Sequence, residues 1–213
     1  MKVTKEFLRE KHACPTGYKW FCENCLELVD FETQIKQLKQ HRFDWANWLI
    51  VRLMSLEQKR KYAIFAAEKV LDIFEAKYPQ DKRPRKAIEA AEGVVNSDTK
   101  ENRSKAADSA YAAAAAYDSA YAYDAAADAA AAAASAADTA ASAYVYAYDA
   151  SAAADAAVAA ASAASSAADT SAYAYAYADD AAAAADAAVD ADDSIKETII
   201  NYGLELIKKD IKK

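Results

Sequence analysis

A chain of 213 residues can bury a core as one sizeable domain or two small ones, but much of its 54% hydrophobic content is alanine, which adds little burial per residue. Only three glycines and three prolines are present, which leaves few places for strands or tight turns and predicts an almost entirely helical chain. The net charge of −7 is divided: residues 1–105 carry 21 Lys/Arg against 16 Asp/Glu, residues 106–195 carry 14 Asp and no basic residue, and residues 196–213 carry five Lys against three acids.

The N-terminal MKVTKEFLREKHAC is charged where a secretory leader would be apolar, and no run reaches the roughly 18 to 20 apolar residues of a membrane span. The chain therefore reads as soluble and cytoplasmic, without a membrane role. An odd number of cysteines argues against a disulfide framework and agrees with a reducing compartment. In HACPTGYKWFCENC, His12, Cys14, Cys22 and Cys25 could begin a zinc site, yet no second Cys/His pair follows at a fixed spacing. The segment is read as small cysteines buried in a helical core, and no metal or other cofactor is expected.

In RFDWANWLIVR, Asp44, Trp48 and Arg52 fall at i, i+4 and i+8 on one helix face, while Trp45, Leu49 and Leu53 line an apolar one. Such a helix has one side in the core and one on a cleft, or else carries an Asp–Arg stripe that pairs with neighbouring helices. Ser55 and Gln58 have the spacing of a capping box. Ile64, Phe65, Val70, Leu71, Ile73 and Phe74, with the apolar face of the preceding helix, form the large side chains of the core in two patterned helices. In YPQDKRPRKAIEAAE, Pro84 suits a first helical turn, and Lys82, Arg83, Arg85 and Lys86 crowd that helix start. Cations there oppose the helix dipole and call for an acid or a bound anion. An intramolecular acid from the Asp-rich block or from Glu89 would serve. So would a phosphate-bearing ligand, with Trp20, Trp45 or Trp48 stacking on a base.

The middle block repeats itself with a period of 31. Asp118, Asp149 and Asp180 are spaced so, as are Asp124, Asp155 and Asp186. As one straight helix the block would be about 135 Å long, and each copy would be turned by roughly 220° from the last. Copies would face different ways, so each unit is expected to contain a turn, with Asp138 or Thr139 and Asp169 or Thr170 as N-caps. Tyr144, Tyr146 and Tyr148 alternate as in a strand, but their alanine surroundings favour helix. The basic ends are expected to fold against this acidic block. In the tail a capping box is read at Ser194–Glu197, and Ile195, Ile199, Leu204, Ile207 and Ile211 give an amphipathic helix that closes over the fold. The expected architecture is all-α: a helical core over 1–98, stacked antiparallel Ala-rich repeats over 99–193 and a closing helix over 194–213, together one continuous domain.

The ordered series CPTGYKWF, DWANWLIVR and YPQDKRPRKAIEAAE, followed by an Ala/Tyr/Asp-rich tract, resembles the immunity-protein family of bacterial polymorphic-toxin loci and phage genomes. The matching positions are Cys14, Gly17, Trp20, Phe21, Asp44, Trp45, Trp48, Arg52, Asp81, Arg83, Pro84 and Arg85. The resemblance covers nearly the whole chain and implies an all-helical, non-enzymatic protein of immunity or anti-defence type that acts by sequestration. The residues themselves agree: no Gly-rich phosphate loop, nucleophile elbow or His-Glu-x-x-His motif is present. Two partners are compatible with this reading. One is a protein toxin or effector that meets the acidic repeat surface with a basic face. The other is an anionic, nucleotide-like molecule held by Arg52, Arg83 and Arg85 with Asp44, Trp20, Trp45 and Trp48 beside it. A nucleic-acid polymer is not expected, and exposed Ala/Tyr faces would allow a homo-oligomer. Ice binding, a further role open to alanine-rich helices, lacks a regular Thr face, because Thr139 and Thr170 are the only threonines of the block.

Overall fold

The computed structural model describes residues 2–24, 26–119, 125–141 and 181–211, and every regular element among them is helical. α1 (Lys5–Glu10), α2 (Pro15–Glu23) and a 3-10 turn (Leu26–Leu28) lead into α3 (Phe31–His41) and α4 (Phe43–Leu53). α5 (Leu56–Glu68), α6 (Leu71–Lys77) and α7 (Arg83–Asn96) follow, then α8 (Lys100–Ser119), α9 (Ala125–Ala141) and α10 (Ala181–Ile211). The all-α expectation holds.

Local signals fix many of these helix starts. Thr4 and Asp30 accept the first free N–H groups of α1 and α3 through their side chains. Both halves of the Ser55–Gln58 capping box form, and Pro84 sits in the first turn of α7, where its missing N–H costs nothing. The expected pair of patterned helices is three, because the chain leaves the helix at Lys69 and Val70 and separates α5 from α6.

Buried polar groups tie the N-terminal layer together. Gln34, fully buried on α3, accepts from the Val3 N–H at 3.2 Å and donates to the carbonyls of Val3 and Leu26 at 2.9 and 2.8 Å. Between α4 and α5, the Tyr62 hydroxyl donates to Asn47 Oδ1 at 2.9 Å with both residues buried. Each of these groups would cost more unsatisfied than its bond contributes.

The centre of the fold is the alanine helix α9. It packs against α5, α6, α7 and α8, and Ala126, Ala129, Ala130, Ala132, Ala133, Ala136, Ala137 and Ala140 are all buried. The largest buried side chains, Tyr62, Phe21, Phe74, Ile199 and Ile200 among them, lie in the first hundred residues and the tail, and α9 adds an alanine-built part to that core. Methyl groups let helix axes approach closely, so four helices can surround one thin helix, and many small contacts replace a few large side chains. α8 supplies a complementary stripe, Ala106, Ala110, Ala113 and Ala116, at spacings of four and three. With only five residues between them, α8 and α9 can pack along their lengths only as antiparallel neighbours.

Two expected helix starts are corrected. α9 continues through Asp138 and Thr139, so neither begins a helix, and α10 runs from Ala181 through Ser194, whose carbonyl accepts from the Thr198 hydroxyl at 2.7 Å. In both places the preceding alanines propagate the helix past a residue that would cap one only where it was already broken. Asp149, Asp155, Asp169, Thr170, Asp180 and the tyrosines at 144, 146 and 148 lie outside the described residues. Among the fourteen aspartates of the acidic block, only Asp108 has a described side chain, and it is exposed.

α10 closes the fold as the tail pattern predicts. Ile199, Ile200, Leu204, Leu206 and Ile207 are buried, and the helix packs against α4 and α5. Gln58 donates to the Leu206 carbonyl at 2.6 Å, Lys208 pairs with Glu32 at 2.7 Å and Glu197 with Lys39 at 3.4 Å. The tail cation thus meets an acid of the N-terminal half. Gly203 marks the closest approach: a Cβ there would lie 2.8 Å from Ile50 Cγ2 and 2.9 Å from Tyr62 Cε2. Gly93, on α7, has nothing within 4 Å of the same position.

Gly203→Ala is therefore expected to destabilise the fold through overpacking of about 1–3 kcal/mol, only partly offset by alanine's better helix propensity. Gly93→Ala is expected to stabilise it by about 0.5–1 kcal/mol. Urea denaturation of the two variants checks both signs. In the same assay Ala133→Leu, which forces three extra carbons into the most enclosed helix, is expected to cost at least as much as Gly203→Ala.

Candidate functional site

The sequence-predicted residues form three separate groups. At the first, Trp20 of α2 stacks on His41 at the end of α3, with ring centroids 4.6 Å apart and planes 8° from parallel. Trp45 of α4 meets both rings at a tilt, 6.0 Å from Trp20 and 5.3 Å from His41. Arg42 lies 5.3 Å from the Trp45 ring and grips Asp44 with two hydrogen bonds of 2.9 and 2.8 Å. That grip raises the Arg42 pKa and uses up Asp44. Cys14 is exposed and caps α2, its sulfur accepting from the Gly17 N–H. This corrects the reading of Cys14 as a buried core residue: as the last residue before Pro15, it has the position that a capping side chain takes. Cys22 is half-buried, and Cys25 lies outside the described residues. No group of three potential ligands able to hold a metal occurs among the described residues.

The second group is Trp48 and Arg52, one turn apart on α4. The guanidinium lies 5.0 Å from the Trp48 ring centroid. The Asp–Arg stripe expected to pair with neighbouring helices does so at neither residue: Asp44 is held by Arg42 just before α4, and Arg52 forms no salt bridge among the described residues.

The third group is the basic start of α7. Arg83 donates to Asp81 through Nε at 3.0 Å and Nη2 at 2.6 Å, and Arg85 donates through Nε to Glu75 Oε1 at 2.7 Å. Lys82 also reaches Glu75, at 3.1 Å. The compensating acids are thus Glu75, on the preceding helix, and Asp81, rather than the acidic block. Their carboxylates respond: the bond from Arg85, and the weaker help of Lys82, hold the Glu75 pKa down to about 2, and the Arg83 fork lowers that of Asp81. α4 packs on α3 and α10 and α7 packs on α5, α8 and α9, so the tryptophans and the α7 arginines occupy different parts of the fold.

A groove that the sequence reading did not single out lies between α5, α6, α7 and α10. Its larger pocket, about 330 Å³, is lined by Glu68, Leu71, Asp72, Arg85, Ile88, Glu89 and Glu92. An adjoining pocket of about 200 Å³ shares Glu68 and Glu92 and adds Lys61, Ile64, Phe65, Val95, Asn96 and Tyr202. Four carboxylates face the groove, while its arginine is engaged by Glu75 and its lysine by Glu57. Glu68 is pushed to a raised pKa by partial burial and by the neighbouring Glu92 carboxyl. Phe65 and Tyr202 stack at 4.0 Å and form an aromatic wall beside that pair. The signal was partly present in the sequence: Arg85, Glu89 and Glu92 recur at helical spacing on α7, but nothing local brings Glu68 to them.

Residues 52–165 match the model of the family described as Imm-5 like putative immunity protein. The chain belongs to this immunity protein family. Residues 1–57 match a second model, the YdhT N-terminal domain. Two of the three sequence motifs, CPTGYKWF and DWANWLIVR, lie in that N-terminal segment, and YPQDKRPRKAIEAAE lies in the immunity-protein segment. No curated protein and no solved structure matches the chain. The acidic groove of this immunity protein is lined by α5, α6 and α7, all within the segment its family model covers, and by Tyr202 of α10 beyond it. No helix among the described residues is long and apolar enough to cross a membrane.

Glu75 and Glu68 titrate with opposite consequences. Glu75, with its lowered pKa, stabilises the fold above the ordinary carboxylate range, and that contribution is lost as pH falls toward 2. Glu75→Gln is expected to lower the thermal midpoint at pH 7, with the gap to the parent protein narrowing in acid. Glu68, with its raised pKa, destabilises the fold once it is ionised. Glu68→Gln is expected to raise the midpoint at pH 7 and to change it little near pH 4. Melting curves of the two variants across this pH range check both signs.

Proposed function

We propose that this immunity protein neutralises a protein toxin by binding it non-covalently, with the acidic groove of α5, α6 and α7 receiving a basic segment of the toxin. Family membership supports the immunity role. The observation that carries the choice of surface is that Glu68 and Glu92 both line the two pockets of the groove, near enough for the Glu92 carboxyl to raise the Glu68 pKa. Like-charged carboxyls near each other cost stability, and a Lys or Arg from a partner placed between them removes that cost. Asp72 and Glu89 extend the same field along the groove, and the Phe65–Tyr202 wall gives the stem of a long cationic side chain an apolar surface to lie on.

Sequestration of a nucleotide-like anion gains no comparable support. Arg83 and Arg85 already hold carboxylates with the two-pronged geometry that a phosphate would need.

The test is calorimetric titration with decalysine. Binding is expected to weaken as salt rises, as for any charge-driven association. It is also expected to weaken about tenfold in Glu92→Gln, the value of one charge-assisted contact, while Glu6→Gln on the exposed face of α1 leaves it unchanged. Equal losses in Glu92→Gln and Glu6→Gln would mean that the peptide senses only net charge, and would reject the groove.

A further inference from the structure

Seven arginines occur in the chain, and Arg52 is set apart from the other six. Arg42, Arg60, Arg83, Arg85 and Arg103 each hold a carboxylate, on Asp44, Asp98, Asp81, Glu75 and Asp98 respectively. Arg9 is exposed beside Tyr18, where water solvates it. Arg52 is half-buried against Trp48, forms no salt bridge among the described residues, and has one buried nitrogen, Nη1, without a hydrogen-bond partner. The nearest acid on its own stripe, Asp44, is spent on Arg42. A guanidinium stripped of part of its water and given no anion among the described residues is costly; Nη1 itself is closed off, but an oxyanion at the part of the group that stays exposed would offset the charge's lost solvation.

We infer that Trp48 and Arg52 form a second contact surface, which takes a carboxylate side chain of a protein partner against the exposed edge of the guanidinium. This rests on the reading of the chain as a protein-binding immunity protein and adds a surface of opposite charge preference to its acidic groove. The occupant follows from the shape and chemistry of the place. The two pockets of the acidic groove are lined by other residues. Trp and Arg are both over-represented among the energetic centres of protein interfaces, and here they lie together. The planar guanidinium matches a carboxylate with two parallel bonds. The desolvation that pulls the Arg52 pKa below its ordinary value is the same unmet need seen from the proton side.

The experiment follows the Arg52 Nε–Hε resonance in a ¹⁵N-labelled sample of the whole protein during titration with a tetraglutamate peptide, blocked at both ends. A second arm uses inorganic phosphate at matched ionic strength. The peptide is expected to move the resonance. Peptide affinity, read from the Trp48 indole signal, is expected to fall about tenfold in Arg52→Met, the value of a charge-assisted contact. Met keeps an apolar stem over Trp48, so the melting midpoint of Arg52→Met is expected to equal or exceed that of the parent. Glu92→Gln is expected to leave tetraglutamate binding intact, which separates this surface from the groove. A resonance that responds to phosphate but not to the peptide, one that responds to neither, or a midpoint several degrees lower in Arg52→Met would each overturn the inference.

Discussion

The thinness of α9 is the constraint on which the rest of the structure depends. A helix whose buried residues are alanines presents almost bare backbone to its neighbours, and α5, α6, α7 and α8 can all reach it only because no side chain holds them away. Burial per residue is small, so stability has to come from many close contacts along the whole length of the helix. This places a tight tolerance on α9. A larger side chain would push the surrounding helices apart. The arrangement also fixes where α5 and α7 stand relative to each other, and so sets the distance between Glu68 and Glu92 across the groove.

The groove and the salt bridges beside it show two ways of handling charge on the same helices. At the start of α7 the cations are matched one by one, Arg83 to Asp81 and Arg85 with Lys82 to Glu75, and the match shows in a strongly acidic Glu75. Two turns later the same helix places Glu92 in the groove with Glu68, where the two carboxyls outweigh the nearby Lys69 and the Glu68 pKa rises. The first arrangement holds α6 to α7. The second gives up stability for a concentrated negative field at an opening, which is the usual balance between a fold and a binding surface. Trp48 and Arg52 show the opposite sign: Arg52, half-buried beside Trp48, has no salt bridge among the described residues.

What the sequence disclosed follows the range of the interaction. The Ser55–Gln58 box, Pro84 in the first turn of α7 and the apolar face of the closing helix depend on neighbours within a turn or two, and each is where its pattern places it. The central position of α9 was hidden because alanine gives the same pattern in a core as on a surface: a run without large residues has no apolar side to detect. Asp138, Thr139 and Ser194 misled for a related reason, since a capping residue inside a strongly helical run leaves the helix intact. Of the site residues, Arg83 and Arg85 were visible as cations at a helix start, but the identity of Glu75 as the acid of Arg85 required knowing that the first turn of α7 comes back to α6. Cys14 was misjudged because cysteine rarely serves as a cap. The Glu68–Glu92 pair, 24 residues apart and on different helices, had no local sign at all.

The crossing at Gly203 carries a consequence for how the chain is made. α10 lies outside both segments matched by family models, yet it packs on α4 from the first and α5 from the second, with Gly203 against Ile50, Met54 and Tyr62. On a ribosome, Tyr62 emerges long before Gly203, and the surface around it stays uncovered for the roughly 10 to 30 s that synthesis of the intervening chain takes. During that interval the nascent protein exposes a sticky apolar seam, so its safe production depends on how quickly the last helix arrives and on what shields the seam until then.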